Sequence, residues 1–98
     1  MPGKHSRDKG SAYERKIAGM LPGARKISRM YAPGPDLEWN DRYIECKKRK
    51  DTYLSMNQMI KYLEDDTDIV VTALDYKTDY AILEWATLLD LIEEAGSP

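Results

Sequence analysis

The sequence predicts an α/β fold, one mixed sheet flanked by helices, with elements in the order αβββαββα. Three observations predict it. A polar pair, Asn40-Asp41, lies between two alternating segments and reads as the two-residue loop of a β-hairpin. Residues 69–74 form an apolar, β-branched run of the kind buried in a central strand. Segments 11–21, 53–64 and 84–94 read as helices placed before, between and after the strands.

Ninety-eight residues suffice for one modest core. Residues 1–9 hold Lys4, Arg7 and Lys9 beside Pro2, Gly3 and His5 without periodicity. They read as a mobile basic arm able to touch phosphates, ahead of a single domain at 10–98. In 11–21, Tyr13, Ile17, Met20 and Leu21 recur at helical spacing, Pro22-Gly23 stops the helix, and Ser11-Ala12-Tyr13-Glu14 fits a capping box. Arg15 and Lys16 point to phosphate contacts or a solvated surface. Residues 24–31 read as a first strand of imperfect alternation, followed by a stiff Pro33-Gly34-Pro35 bend into the hairpin.

After the hairpin, Asp51-Thr52 can cap a second helix with Leu54, Met59, Ile60 and Leu63 inward. Asp65-Asp66-Thr67-Asp68 lacks the glycine and distal glutamate of a calcium loop and reads as an acidic turn. Strands at 69–74 and 80–83 precede a closing helix that ends at Gly96.

Composition narrows the chemistry. Cys46 is the only cysteine and His5 the only histidine, which excludes an internal disulfide and a zinc site built from these two residue types. No apolar run approaches the ~20 residues of a membrane span, and no basic-then-apolar leader opens the chain. No membrane association and a cytoplasmic location are therefore expected, in a bacterial or archaeal host cell if so compact a protein is phage-encoded. The formal charge of −2 conceals an asymmetry. Residues 1–50 hold thirteen Lys and Arg against six Asp and Glu, a balance of +7, whereas residues 51–98 hold two against eleven, or −9. A basic half beside an acidic half is the pattern of a polyanion-binding face.

The basic half contains the hairpin. Counting outward from Asn40-Asp41, Trp39 faces Arg42, Glu38 faces Tyr43, Leu37 faces Ile44 and Asp36 faces Glu45. Side chains alternate, so Asp36 and Glu38 share a face with Tyr43, Glu45 and Lys47, and Leu37, Trp39, Ile44 and Cys46 take the apolar face. Directly opposed like charges repel. Asp36 against Glu45 therefore calls for a cation, and Mg²⁺ binds through one or two carboxylates while keeping waters. Lys47, on the same face, can hold a water or stabilise developing negative charge. Two acids and a lysine around a metal are equipment for phosphodiester hydrolysis. The Lys48-Arg49-Lys50 run that follows directly suits a phosphate backbone.

Pro35-Asp36, an interval, then Glu45-Cys46-Lys47 resembles the PD-(D/E)XK nuclease signature. Lys9-Gly10-Ser11-Ala12-Tyr13-Glu14-Arg15 resembles the first helix of archaeal and phage Holliday junction resolvases, and the resemblance extends from residue 9 to about residue 85. It implies a restriction-endonuclease-like core and a Mg²⁺-dependent endonuclease, with Mn²⁺ as a substitute metal. It further implies that Asp36, Glu45 and the Cys46 backbone carbonyl ligate the metal, with the Cys46 sulfur turned into the core. Glu14 points into the site and organises the metal or its waters, a role that need not exclude capping. Gln58 orients substrate or water, unless it is simply an exposed helix residue. Lys9, Arg15, Arg29, Lys48, Arg49 and Lys50 are the expected DNA contacts, although Met30 stands where such resolvases carry a serine after the arginine. The implied substrate is branched DNA, a four-way junction cut by a homodimer. The alternatives are a monomeric nickase, a flap or repair nuclease of the same fold, and a catalytically silent DNA-binding module.

Overall fold

The computed structural model describes residues 2–27 and 34–96, and the side chains among them from residue 10 onward. The elements are α1 (Pro2–Met20), β1 (Arg25–Lys26), β2 (Leu37–Trp39), β3 (Arg42–Arg49), α2 (Met56–Asp65), β4 (Ile69–Leu74), β5 (Tyr80–Leu83) and α3 (Trp85–Gly96). This is the expected αβββαββα order. The strands form one mixed sheet in the order β1-β2-β3-β4-β5, in which β3 and β4 run parallel and every other neighbouring pair is antiparallel. Among the described residues no helix is long and apolar enough to cross a membrane.

The hairpin register follows from the turn. Asn40 and Asp41 both take positive φ, 47° and 63°, as a two-residue primed turn requires. Trp39 then pairs with Arg42, Glu38 with Tyr43 and Leu37 with Ile44, as the residue count predicts. Alternation puts Leu37, Ile44 and Cys46 on one face, where they pack with Ile69 and Ala73 from β4 and with Tyr13 and Ile17 from α1. Leu37 and Ile44 are at most 1% exposed, and burial of each side chain contributes roughly 1.5–3 kcal/mol. Leu91 of α3 packs against the same cluster. The opposite face of β3 and β4 presents Glu45, Lys47, Val70 and Thr72, with α2 alongside; within that helix only Met59 is buried.

Several expectations need correction. Helix α1 begins at Pro2, not at Ser11, so the basic segment expected to be an irregular arm is helical from residue 2. Proline is tolerated in a first turn because its missing N–H would have no partner there. Ser11 consequently lies mid-helix, and its hydroxyl accepts from Lys26 Nζ at 2.7 Å instead of capping. Met20, which shares helical spacing with Tyr13 and Ile17, is 61% exposed, and Ile60, expected inward, is 39% exposed. The true capping box belongs to α2. That helix starts at Met56 rather than Tyr53, so Ser55 replaces Asp51-Thr52 as the cap: its Oγ accepts the Gln58 amide at 3.1 Å, and Gln58 Oε1 accepts the Ser55 amide at 3.0 Å. Strand β1 covers only Arg25–Lys26 of the expected 24–31, and residues 28–33, with Arg29, lie outside the described residues.

These caps are separable by mutation. Ser55→Ala should cost about 1 kcal/mol in urea unfolding, the usual loss of an N-cap. Ser11→Ala should stay within about 0.5 kcal/mol of wild type, as expected for a surface position. The reverse ranking would contradict the helix boundaries described.

Candidate active site

Asp36 precedes β2 and is fixed by its backbone. Its N–H donates to Ile44 O at 2.9 Å, and its carbonyl accepts the Ile27 amide at 2.9 Å, so it is stitched to both neighbouring segments. The β2–β3 ladder closes at Leu37 and Ile44 and does not extend to the expected Asp36–Glu45 pair. Instead, the Asp36 carboxylate turns to the β3 backbone, where Oδ2 accepts the Cys46 amide at 2.8 Å. Asp36 still feels the charges of Glu45 and Glu14. The hairpin and α1 therefore bring three carboxyl groups into one neighbourhood.

The electrostatics record that crowding. Burial raises the Asp36 carboxyl; the Cys46 amide opposes the rise, and the charges of Glu45 and Glu14 add to it, leaving Asp36 at about 7. Burial also raises Glu45, which is only 5% exposed, and the Lys47 charge opposes this without cancelling it. Lys47 Nζ lies 3.1 Å from Glu45 Oε1. Burial disfavours the Lys47 ammonium, but the Glu45 carboxylate outweighs it and the lysine holds its proton more tightly than usual. The Cys46 thiol is pushed well up by burial and by the three nearby acids, so it stays protonated and unreactive at neutral pH. Its side chain is buried in the core cluster, as expected from its strand face.

Further partners were not legible in the sequence. Tyr62 of α2 offers its ring to Lys47, with Nζ 5.3 Å from the centroid. Thr72, 1% exposed, donates its hydroxyl to the Lys47 carbonyl at 2.7 Å and fixes the backbone that presents the ammonium. Lys26 pairs with Glu14 at 3.1 Å. Two lysines thus answer the three acids. Tyr62 is four residues after Gln58 on the same helix, a spacing that could have pointed to it once α2 was placed against β3.

The remaining expected site residues are dispersed. Gln58 is exposed, serves the α2 cap and shares with Tyr62, Leu54, Lys61 and Asp65 a shallow cleft of about 340 Å³. Its side chain meets none of the three acids in a described hydrogen bond. Lys48 takes the α1 face of β3, with Nζ 5.5 Å from the Tyr13 ring centroid, while Arg49, Lys50 and Arg15 are exposed. The Lys9 side chain and Arg29 lie outside the described residues.

The donor set suits a hard divalent cation in part. Asp36 and Glu45 offer carboxylate oxygens, the ligand type that Mg²⁺ prefers, and Mg²⁺ needs only one or two of them beside its waters. Among the described residues no three His, Cys, Asp or Glu side chains are gathered tightly enough to hold a metal by themselves. A two-carboxylate, water-rich site fits this arrangement, and an all-protein cage does not. Compared with known proteins, the chain matches no family model, no curated protein and no solved structure.

A raised acid makes a signed prediction. The folded chain binds the Asp36 proton more tightly than the unfolded chain does. Its contribution to stability is therefore full below the unfolded value of 3.8 and is lost as pH rises through about 7. Asp36→Asn, which keeps an acceptor for the Cys46 amide, should stabilise the protein in EDTA above neutrality by about 1–2 kcal/mol. That gain should vanish in acid. A variant no more stable than wild type above neutrality would show that the carboxylates do not crowd one another.

Proposed function

We propose that this chain is a Mg²⁺-dependent, structure-specific DNA endonuclease of the PD-(D/E)XK type, acting on branched DNA as a Holliday junction resolvase. The observation that carries the reading is the proximity of Asp36, just before β2, to Glu45 and Lys47 on β3, with Glu14 from α1 beside them. Crowded carboxyls with raised proton affinity beside a half-buried ammonium form a structure that a cation would relieve. The αβββαββα order and the mixed sheet are compatible with the core that this reading requires.

Asp36 and Glu45 would hold Mg²⁺, with the Cys46 carbonyl as a further oxygen. Bound there, the ion would supply Lewis acidity toward a phosphate oxygen and an activated water. The chain's own residues do the rest. The Cys46 amide keeps the Asp36 carboxylate aimed, and Thr72 and Tyr62 hold Lys47 in place. The Lys47 ammonium, 3.1 Å from Glu45 Oε1, would orient the attacking water or meet the charge developing on the phosphate. Glu14 completes the acidic cluster and orders water. Arg49 and Lys50, exposed at the end of β3, and Lys48 beside them suit a path for the phosphate backbone.

The distribution of charge along β3 supports the choice of DNA. Asp41, Asp68, Asp90, Glu93 and Glu94 line an open cleft of about 630 Å³ at the hairpin tip, with Asn40 and Arg42. The lysine-rich end of β3 lies the length of that strand away, about 23 Å at roughly 3.3 Å per residue. A polyanion would be drawn to one end and repelled from the other. Paired incision of a four-way junction needs two such sites, hence a homodimer.

Incubation with labelled four-way junction, flap and plain duplex, with and without Mg²⁺, tests the reading. Cleavage should require the metal and favour the junction. Lys47→Ala and Asp36→Asn should each lose about a hundredfold or more while keeping a cooperative thermal transition. Full activity in either variant refutes the assignment. DNA binding in EDTA with no product after Mg²⁺ or Mn²⁺ addition would favour a silent binding module.

A further inference from the structure

Two exposed tyrosines lie at the end of a row that starts at Lys47. Strand pairing sets Lys47 beside Thr72, and Thr72 beside Tyr80, so the three residues cross β3, β4 and β5 on one face of the sheet. At about 4.8 Å per strand, Tyr80 stands roughly 10 Å from Lys47. That is about three rises of stacked nucleotides at 3.4 Å each. Tyr80 is 55% exposed although it belongs to a strand, and its ring meets Tyr53 edge-on, with centroids 6.2 Å apart and planes at 75°. Tyr53, 36% exposed, follows closely on Arg49 and Lys50 in the segment between β3 and α2. Asp79, the acid next to Tyr80, is already engaged by Lys16 at 3.0 Å and by the Tyr13 hydroxyl at 2.8 Å. Burial raises Asp79, yet these two partners win and hold it below the usual carboxylate range.

We infer that Tyr53 and Tyr80 form a stacking platform for an unpaired nucleobase, which the backbone path along Arg49 and Lys50 delivers to the Lys47 site. This rests on the nuclease reading, and it adds what the enzyme would select. A fully paired duplex keeps its bases stacked on one another and has none to offer the platform. A single-stranded segment does, as does a branch point, where a base pair that has lost its stacking neighbour opens more readily; aromatic stacking accepts any base through its π-face. The paired tyrosines therefore give preference for DNA structure without preference for sequence. Edge-on contact matters here, because it leaves the open face of one ring available while the other ring holds it upright.

The experiment uses the full chain in EDTA, so that binding is read without cleavage. The probes are a four-way junction carrying 2-aminopurine in a base pair at the branch point, a 2-aminopurine single strand, and a fully paired duplex. Wild type should quench the fluorophore in the first two. The Tyr53→Phe/Tyr80→Phe pair, which keeps both rings, should match it. Tyr53→Leu/Tyr80→Leu, which keeps apolar cover without a π-face, should lose quenching and about tenfold or more in affinity for those probes, with duplex affinity changed less than about twofold. Unchanged quenching and affinity in the leucine pair would overturn the platform alone. An equal loss on all three probes would also overturn it, by showing a general effect. Wild-type protein that binds none of the probes would overturn the nuclease reading and the platform with it.

Discussion

The structure depends on one hydrogen bond, from the Cys46 amide to the Asp36 carboxylate. It ties the residue entering the hairpin to the strand leaving it, and it does so from within a cluster that carries Glu14 and Glu45 as well. A backbone N–H directed at a carboxylate favours the charged form. Here it is outweighed by burial and by two like charges, so Asp36 is fixed in position and left short of countercharge. Lys26 and Lys47 are recruited to Glu14 and Glu45, and no described ion pair reaches Asp36. The fold thus sustains a local electrostatic cost at the one point where α1, β2 and β3 converge.

The rest of the molecule can be read as support for that point. The primed turn at Asn40-Asp41 fixes the register, and register decides that Leu37, Ile44 and Cys46 enter the core while Glu45 and Lys47 face α2. A slip of one residue would exchange the two sets and turn the charges into the apolar core. Tyr13 and Ile17 anchor α1 against the same core, which places Glu14, the neighbour of Tyr13, at the edge of the cluster. Trp39 fastens the hairpin to the end of α1, donating its indole N–H to the Pro22 carbonyl at 3.1 Å. On the far side, Thr72 fixes the Lys47 backbone and the Tyr62 ring meets its ammonium, which offsets part of the rotamer entropy that ordering a long side chain costs.

Much of this was legible from residues alone, where the cause is local. The Asn40-Asp41 pair dictates a turn type, and the turn type dictates the pairing down to the Leu37–Ile44 rung. The 69–74 run gives a central strand because a β-branched apolar segment of that length has few other uses. Legibility ended where one residue can serve two masters. Ser11 and Glu14 have capping-box spacing, but α1 runs through them from Pro2, and Glu14 is used by Lys26 instead. Ser55 and Gln58 have the same spacing and do form the box, and Gln58 is thereby occupied in a way its resemblance to a substrate-orienting glutamine does not suggest. The opposition of Asp36 and Glu45 was deduced from an ideal ladder. The chain departs from that ladder one rung early, because a carboxylate next to a free strand amide gains more from that bond than from facing another acid. Tyr62 and Thr72 come from distant segments and carry no local signal of their role.

A cation that belongs among Asp36 and Glu45 should bind the folded chain and not the unfolded one, and so should raise its stability by mass action. The direct measurement is the thermal transition above neutral pH, with and without millimolar Mg²⁺, in wild type and in the Asp36→Asn/Glu45→Gln double variant. Wild type should melt at a higher temperature with the metal, and the double variant should melt at the same temperature in both conditions. Equal shifts in the two proteins, or none in wild type, would mean that these carboxylates are not a metal site.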